Sequence, residues 1–317
     1  MARRRVPHRR GAPVTSTTSG ATSGAVYDRG YRPYDGPRGG RRAVRLALFR
    51  VSVRRALGLR RPWRQKVAPF LLLGVAVIPA VVNVGIGYVT RDSPPIGFEF
   101  ITYRDYVVVS SSLFLLFVAL TGPDVLCPDR RNKVLPLLFA RPLTGADYVA
   151  AKLGAIATIV FAFGVIPQIV LFGGQMLVRD RALDYLRDNA EVLWQVPAAV
   201  AVVAIYYAAI VLAISSLTGR RIVAAAVFIG LMFATATVSA ILVGDTSQQF
   251  NQGSVAGLID LAALPLHLRD LLFLGHLDPE GPLGGVAKGG LFAVGTYAAV
   301  LSVALVVLFV RYRWEDR

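Results

Sequence analysis

Between Cys127 and Lys152 the chain reads CPDRRNKVLPLLFARPLTGADYVAAK. Asp129, Arg130, Arg131 and Lys133 come first, four of the few charges lying between apolar stretches. The apolar run Leu135, Leu137, Leu138 and Phe139 follows, then Arg141, Pro142, Leu143 and Thr144, then Asp147, Tyr148 and Lys152. Such a segment is too polar for hydrocarbon and too apolar for a solvated linker. Residues of these types suit recognition better than bond-making: Leu137, Leu138 and Phe139 form a compact knob, and Arg130, Arg131 and Arg141 supply charged contacts around it. Pro136 and Pro142 divide the segment into short helical pieces, and Asp147 favours the start of the next helix through its dipole. A plainer reading stays open, in which Leu135 to Phe139 pack on the chain's own helices and the arginines bind headgroups.

Other chemistry is absent from the pattern. No G-x-x-x-x-G-K-[ST] cradles a nucleotide, and G-x-S-x-G, H-E-x-x-H and C-x-x-C do not occur. Cys127 is the single cysteine, which excludes an internal disulfide and a multi-cysteine metal cluster. His8, His267 and His276 are too scattered for a ligand set. His267 and His276 do stand near Asp270 and Asp278, but a histidine beside an acid is more often incidental than a metal site. No catalytic group, metal or cofactor is expected from these residues.

The elements that position the 127–152 segment are apolar. Of 317 residues 55% are hydrophobic and 17% charged, with a mean hydropathy of +0.55, and a charged fraction that low points to lipid as the solvent. The net charge of +16 would suggest nucleic acid in a soluble protein; here arginine gathers beside apolar spans, which the membrane explains better. Six stretches are long enough to cross a core of about 30 Å: 67–89, 106–122, 155–178, 192–217, 222–243 and 291–310. They carry no Asp, Glu, Lys or Arg, which argues against a proton relay or ion-coupled transport. Asn83, Gln168, Gln175, Gln195, Ser215 and Ser216 suit helix packing. The expected fold is therefore an all-α integral membrane protein with six transmembrane helices.

Residues 1–40, with a Ser/Thr/Gly/Ala tract, read as a disordered basic arm. Tyr27, Tyr31 and Tyr34 alternate there with Arg29, Arg32 and Arg38, as a solvated arm near headgroups or as an ordered contact with a partner. No apolar run follows until about residue 67, so the first span is expected to act as the insertion signal rather than a cleaved leader. From Arg41 to Arg64 a helix is expected with Leu46, Phe49, Val53 and Leu57 on one face. It reads as an interfacial helix with its arginines reaching phosphates, or simply as a basic flank. Of the 35 basic residues, 28 fall on one side of a six-span arrangement and seven on the other, so both termini are expected in the cytoplasm. Between spans five and six, Val255 to Gly275 is apolar yet holds Asp260, His267, Arg269 and Asp270. It is expected to be interfacial or re-entrant, broken at Pro265.

The segment with Asp129-Arg130-Arg131, Leu135-Pro136-Leu137-Leu138, Ala140-Arg141-Pro142-Leu143, Asp147-Tyr148 and Lys152 resembles the loop after the second span in ABC-2 type transporter permeases. The acidic position early in that family's loop falls on Asp124 or Asp129 here. The resemblance covers residues 41–317 in topology and about 26 residues in motif. It implies a cell-membrane permease subunit, itself no enzyme, energised by a separate ATPase subunit docking on Asp129, Arg130, Arg131, Leu137, Leu138, Phe139, Arg141, Pro142, Asp147, Tyr148 and Lys152. It also implies pairing with a second copy or a similar permease, contact with membrane lipids, no nucleic acid, and export of an amphipathic, lipidic or drug-like substrate. A membrane enzyme with an outer-face site around His267, Asp270 and His276, and a non-transporting accessory subunit, are the alternatives.

Overall fold

The computed structural model describes residues 39–59, 63–90, 101–140, 142–179, 181–250 and 254–313. The arm expected over 1–40 lies outside the described residues but for its last two glycines, and so does Arg141. The described chain is all-α, without a strand. Its helices are α1 (Arg41–Ala56), α2 (Trp63–Val89), α3 (Tyr103–Val109), α4 (Ser111–Arg131), α5 (Leu135–Phe139) and α6 (Gly145–Val178). There follow α7 (Ala182–Asp188), α8 (Val192–Leu217), α9 (Arg221–Phe250), a 3-10 turn (Val255–Ile259), α10 (Leu264–Leu274) and α11 (Gly289–Arg313). Six of them, α2, α4, α6, α8, α9 and α11, are long and apolar enough to cross a membrane. The chain is a multi-pass membrane protein.

The pillar of the bundle is α8. Its most apolar stretch is 72% buried, against 17% in α9 and in α11, and α4, α6, α9, α10 and α11 all pack on it. The reason lies in its small side chains. Ala199, Val200, Val203, Ala204, Ala208 and Ala209 are buried, and in lipid close van der Waals packing, not water exclusion, holds helices together. At Gly164 of α6 the approach is closest to an aromatic: a Cβ there would lie 2.4 Å from Phe114 of α4 and 2.7 Å from Val200. The Phe163 ring beside it stacks on Phe117 with centroids 4.2 Å apart. On the outward faces of α9 and α11, Phe233, Ile241, Phe292 and Val306 are exposed, as the hydrocarbon of a bilayer requires.

Three elements depart from the expectations. The second span is displaced: the chain bends at Ser110 and α4 runs on through Pro123 and Pro128 to Arg131. Gly122 and Pro123 therefore do not end it. Gly122 is the place where α4 nests on Val211 of α8, and the charge at Asp129 is compensated within the bundle, as described below. In α1 the inward face is also different. Val44, Leu48, Ser52 and Ala56 turn toward the bundle, with Val53 and Leu57 beside them, while Leu46 is 48% exposed. This face is the one whose arginines find carboxylates. Finally, the 255–275 segment is broken at 260–263 and not at Pro265 itself, which stands just after the break in the first turn of α10, where a proline lacks only a donor that no helix start can use.

The close contact at Gly164 yields a contrast. Gly164→Ala should destabilise the detergent-solubilised chain by about 1–3 kcal/mol through overpacking, read as a lower unfolding temperature. Gly173→Ala, in the same helix with nothing within 4 Å, should leave that temperature unchanged or raise it slightly.

Candidate functional site

The segment that stood out in the sequence is not one long loop. Cys127 to Arg131 close α4, Leu135 to Phe139 form α5, and Asp147, Tyr148 and Lys152 belong to the first two turns of α6. Thr144 starts α6 with a capping box: its hydroxyl accepts from the Asp147 N–H at 3.3 Å, and the Asp147 carboxylate accepts from the Thr144 N–H at 3.3 Å. The same carboxylate takes Arg41 Nε at 2.5 Å and Arg45 Nη1 at 3.4 Å, and Arg41 Nη2 also donates to Thr144 Oγ1 at 3.1 Å. In this way α1 is fastened to the start of α6.

A second tie is deeper. The Asp129 side chain is 5% exposed and that of Lys152 3%. Lys152 Nζ donates to Asp129 Oδ2 at 2.6 Å and to the carbonyl of Val125 at 3.0 Å, the Tyr148 hydroxyl donates to Asp129 Oδ2 at 3.0 Å, and Arg55 of α1 donates to Asp129 Oδ1. Tyr148 packs in turn on Tyr312 of α11, with ring centroids 5.0 Å apart. One buried carboxylate thus joins α1, α4 and α6, with α11 stacked behind. Two further contacts hold the same end. Arg130 donates to the Ser216 carbonyl at the close of α8, where cations are favoured. Arg221 at the start of α9 pairs with Asp124 at 3.1 Å.

The sequence-selected residues therefore fall into groups. Asp129, Asp147, Tyr148 and Lys152 are buried and bound within the chain, and Arg130 is half-buried against α8. Leu138 and Phe139 are half-buried, the latter against Tyr148 at 6.0 Å. Arg131, Leu137 and Pro142 are exposed, with Leu137 at 75%, and Arg141 lies outside the described residues. Between them Lys133, also exposed, takes a left-handed conformation at φ 51° to end α4, a place where glycine is the usual occupant. The reading from sequence missed Arg41, Arg45 and Arg55. Their signal is their spacing: with Leu48 and Ser52 they share one helical face.

At the other end of the bundle the charges of the 255–288 region are also engaged. Arg104 of α3 donates to Asp270 at 2.9 Å and to Asp278. Arg269 donates to Asp270 from Nε at 3.0 Å and to the Arg104 carbonyl at 2.9 Å. The hydrogen bond from Arg104 holds the Asp278 carboxyl below the usual carboxylate range. His267 is buried with Nε2 unpartnered, and burial pushes its imidazole down; the His276 ring is exposed and turns to the Leu277 carbonyl. With Asp270 held by two guanidiniums, the cluster ties α10 to α3 and presents no free carboxylate beside a histidine. Among the described residues no group of three or more His, Cys, Asp and Glu could hold a metal. No protein-family model and no curated protein matches the chain by sequence.

The Asp129 knot can be tested by a double-mutant cycle. Lys152→Met alone should cost about 3–5 kcal/mol by taking from a buried carboxylate its one fully buried cation and leaving it to Arg55 and Tyr148, lowering the unfolding temperature in detergent. Adding Asp129→Leu should recover most of the loss. Additive losses would mean that the two side chains do not act as a pair. At the opposite end, His267→Phe should leave stability unchanged or raise it, because the imidazole nitrogen it removes has no partner to lose.

Proposed function

We infer that this chain is the membrane-spanning permease of an ATP-driven transporter of ABC-2 type, in the cell membrane with both termini cytoplasmic. The hydrolysing subunit is a separate chain that docks on the turn between α4 and α6. The observation that carries the reading is the division of that turn. Its charged base is locked into α1, α4, α6 and α8, while its tip leaves Arg131, Lys133, Leu137 and Pro142 outside. An exposed leucine on the same turn as two exposed cations, set on a rigid base, is the form of a small interface with one apolar anchor. Lys133 strengthens the reading, since a lysine in a left-handed position is a local cost of about 1–2 kcal/mol kept at the tip.

Movement at the tip has a route outward. Helix α6 is unbroken for 34 residues, about 50 Å at a rise of 1.5 Å per residue. Near its far end Gln175 donates to Asn83 of α2 at 2.8 Å, and Gln168 donates to the Tyr103 carbonyl of α3 at 3.1 Å. Closure of an ATPase pair on two such turns would tilt α6 and, through it, the outer half, a two-state element biased by nucleotide. In this arrangement α1 lies at the inner interface. The 255–275 segment re-enters the bilayer, in keeping with the Tyr207 hydroxyl donating at 2.7 Å to the Ala262 carbonyl from well inside α8. Two copies, or this chain and a similar permease, line the path, and largely apolar walls suit export of an amphipathic or lipidic cargo.

A photo-crosslinking residue at position 137 should attach the chain to a soluble protein bearing a phosphate-loop signature. Leu137→Asp should cut co-eluting ATP hydrolysis by about 30-fold, the loss of one interface anchor, without lowering the unfolding temperature. Retained ATPase, or labelling of position 137 from outside the cell, would defeat the reading. Lys133→Gly should do two things at once: raise stability by about 1 kcal/mol by relieving the left-handed lysine, and weaken ATPase retention.

A further inference from the structure

Beside the first turns of α6, α1 leaves a shallow groove of about 270 Å³ lined by Arg42, Arg45, Leu46, Phe49 and Ala151. The four α1 residues follow the spacing i, i+3, i+4, i+7 and so form one stripe, set off from the inward face of Val44, Leu48, Ser52 and Ala56. The stripe is polar at one end and apolar at the other. Its direction is fixed by α6: Arg41 and Arg45 stand at Asp147, whereas the Phe49 ring packs over Gly154, two turns further along the same helix. Advancing from Arg42 to Phe49 therefore means advancing along a membrane-crossing helix from its capped start toward its apolar middle. A helix of 34 residues exceeds a hydrocarbon core of about 30 Å, so its first turns stand at the boundary where headgroups meet chains.

The charge balance is uneven. Arg41 and Arg45 share a single carboxylate, Asp147, which is already held by Arg41 and by the Thr144 cap. Arg45 reaches it only at 3.4 Å, and Arg42 has no carboxylate partner among the described residues. Both guanidiniums can turn to an anion at modest cost.

We propose that this groove is a binding site for an anionic phospholipid, whose phosphate lies between Arg42 and Arg45 and whose first acyl carbons lie along Leu46, Phe49 and Ala151. The surplus of positive charge favours a headgroup that brings no ammonium of its own. The site needs only that α6 crosses a bilayer and is independent of the ATPase reading.

Native mass spectrometry of the full chain, released from detergent and titrated with phosphatidylglycerol or phosphatidylcholine, tests it. The wild-type chain should prefer phosphatidylglycerol for its first bound lipid. In R42Q/R45Q that preference should fall by about 30-fold, the product of two arginines near a membrane phosphate. In R50Q/R54Q, altered one and two turns further along α1 and outside the lining of the groove, it should persist. Leu46→Gln should weaken the lipid too, and inorganic phosphate should not displace it. The proposal is overturned if R42Q/R45Q binds like wild type, or if R50Q/R54Q loses as much, which would reveal diffuse attraction. It is equally overturned if inorganic phosphate competes and Leu46→Gln has no effect, which would reveal a free-anion site. Both arginines are exposed, and in R42Q/R45Q Arg41 still holds Asp147, so an unfolding temperature close to wild type is expected and excludes misfolding as the cause.

Discussion

A carboxylate buried in an apolar bundle is tolerable only if the fold brings cations and donors to it, and Asp129 imposes that demand on most of the chain. Lys152 and Tyr148 answer from α6, Arg55 from α1. Because these partners lie 23, 19 and 74 residues away in sequence, satisfying one charge fixes how three helices meet. It also fixes the rotation of α1. A helix whose apolar residues do not form a clean stripe has no preferred inward side on hydropathy alone; Arg41, Arg45 and Arg55, all on one side, decide it by reaching Asp147 and Asp129. Leu46 is turned out as a consequence, and the groove beside it exists because of that turn.

Hydropathy and length made the six crossing helices legible, since a bilayer tolerates few alternatives. Four of the expected spans lie within observed helices and match them to within a few residues at most boundaries; the third gains a turn or more at its start, and the second is displaced. Both deviations have one origin. Reading a charge as the end of a span assumes that it meets lipid, yet Asp129 and Lys152 meet each other, so α4 and α6 each extend past the point where their charges begin. Pro123 is accommodated inside α4 for a related reason. A proline weakens a helix by the hydrogen bond it removes, but in a helix wedged against α8 at Gly122 packing outweighs that loss.

The site was legible in its local parts and opaque in its distant ones. Thr144 and Asp147 stand three apart, the spacing of a capping box, and the role given to Asp147 at the head of a helix followed from sequence. That Arg55 belongs to Asp129, or Arg130 to the carbonyl of Ser216, did not, because the spacing of charges along one helix does not say which group on another helix they meet. The eleven residues first grouped by proximity are thus heterogeneous. Several are the foundation of the turn, and exposed Leu137 with Arg131 and Pro142 forms its face.

Foundation and face need each other for a mechanical reason. A surface residue transmits displacement only if its own support does not yield, and support in lipid cannot come from water exclusion, which is weak between apolar helices there. Directional contacts must supply it. The end that carries the turn has six: Arg41 and Arg45 to Asp147, Lys152 and Arg55 to Asp129, Arg130 to the end of α8, and Arg221 to Asp124. The opposite end repeats the scheme with Arg104 and Arg269 on Asp270, joining α3 to α10. Between the two ends, α6 and α8 are joined by packing of small side chains around Gly164 and Val200, with no ion pair among the described residues. Ion pairs hold geometry at discrete positions, whereas Gly/Ala/Val surfaces allow small sliding. In a bundle clamped at both ends and smooth in the middle, α6 is tied to α1 and α4 at one end and hydrogen-bonded to α2 and α3 toward the other.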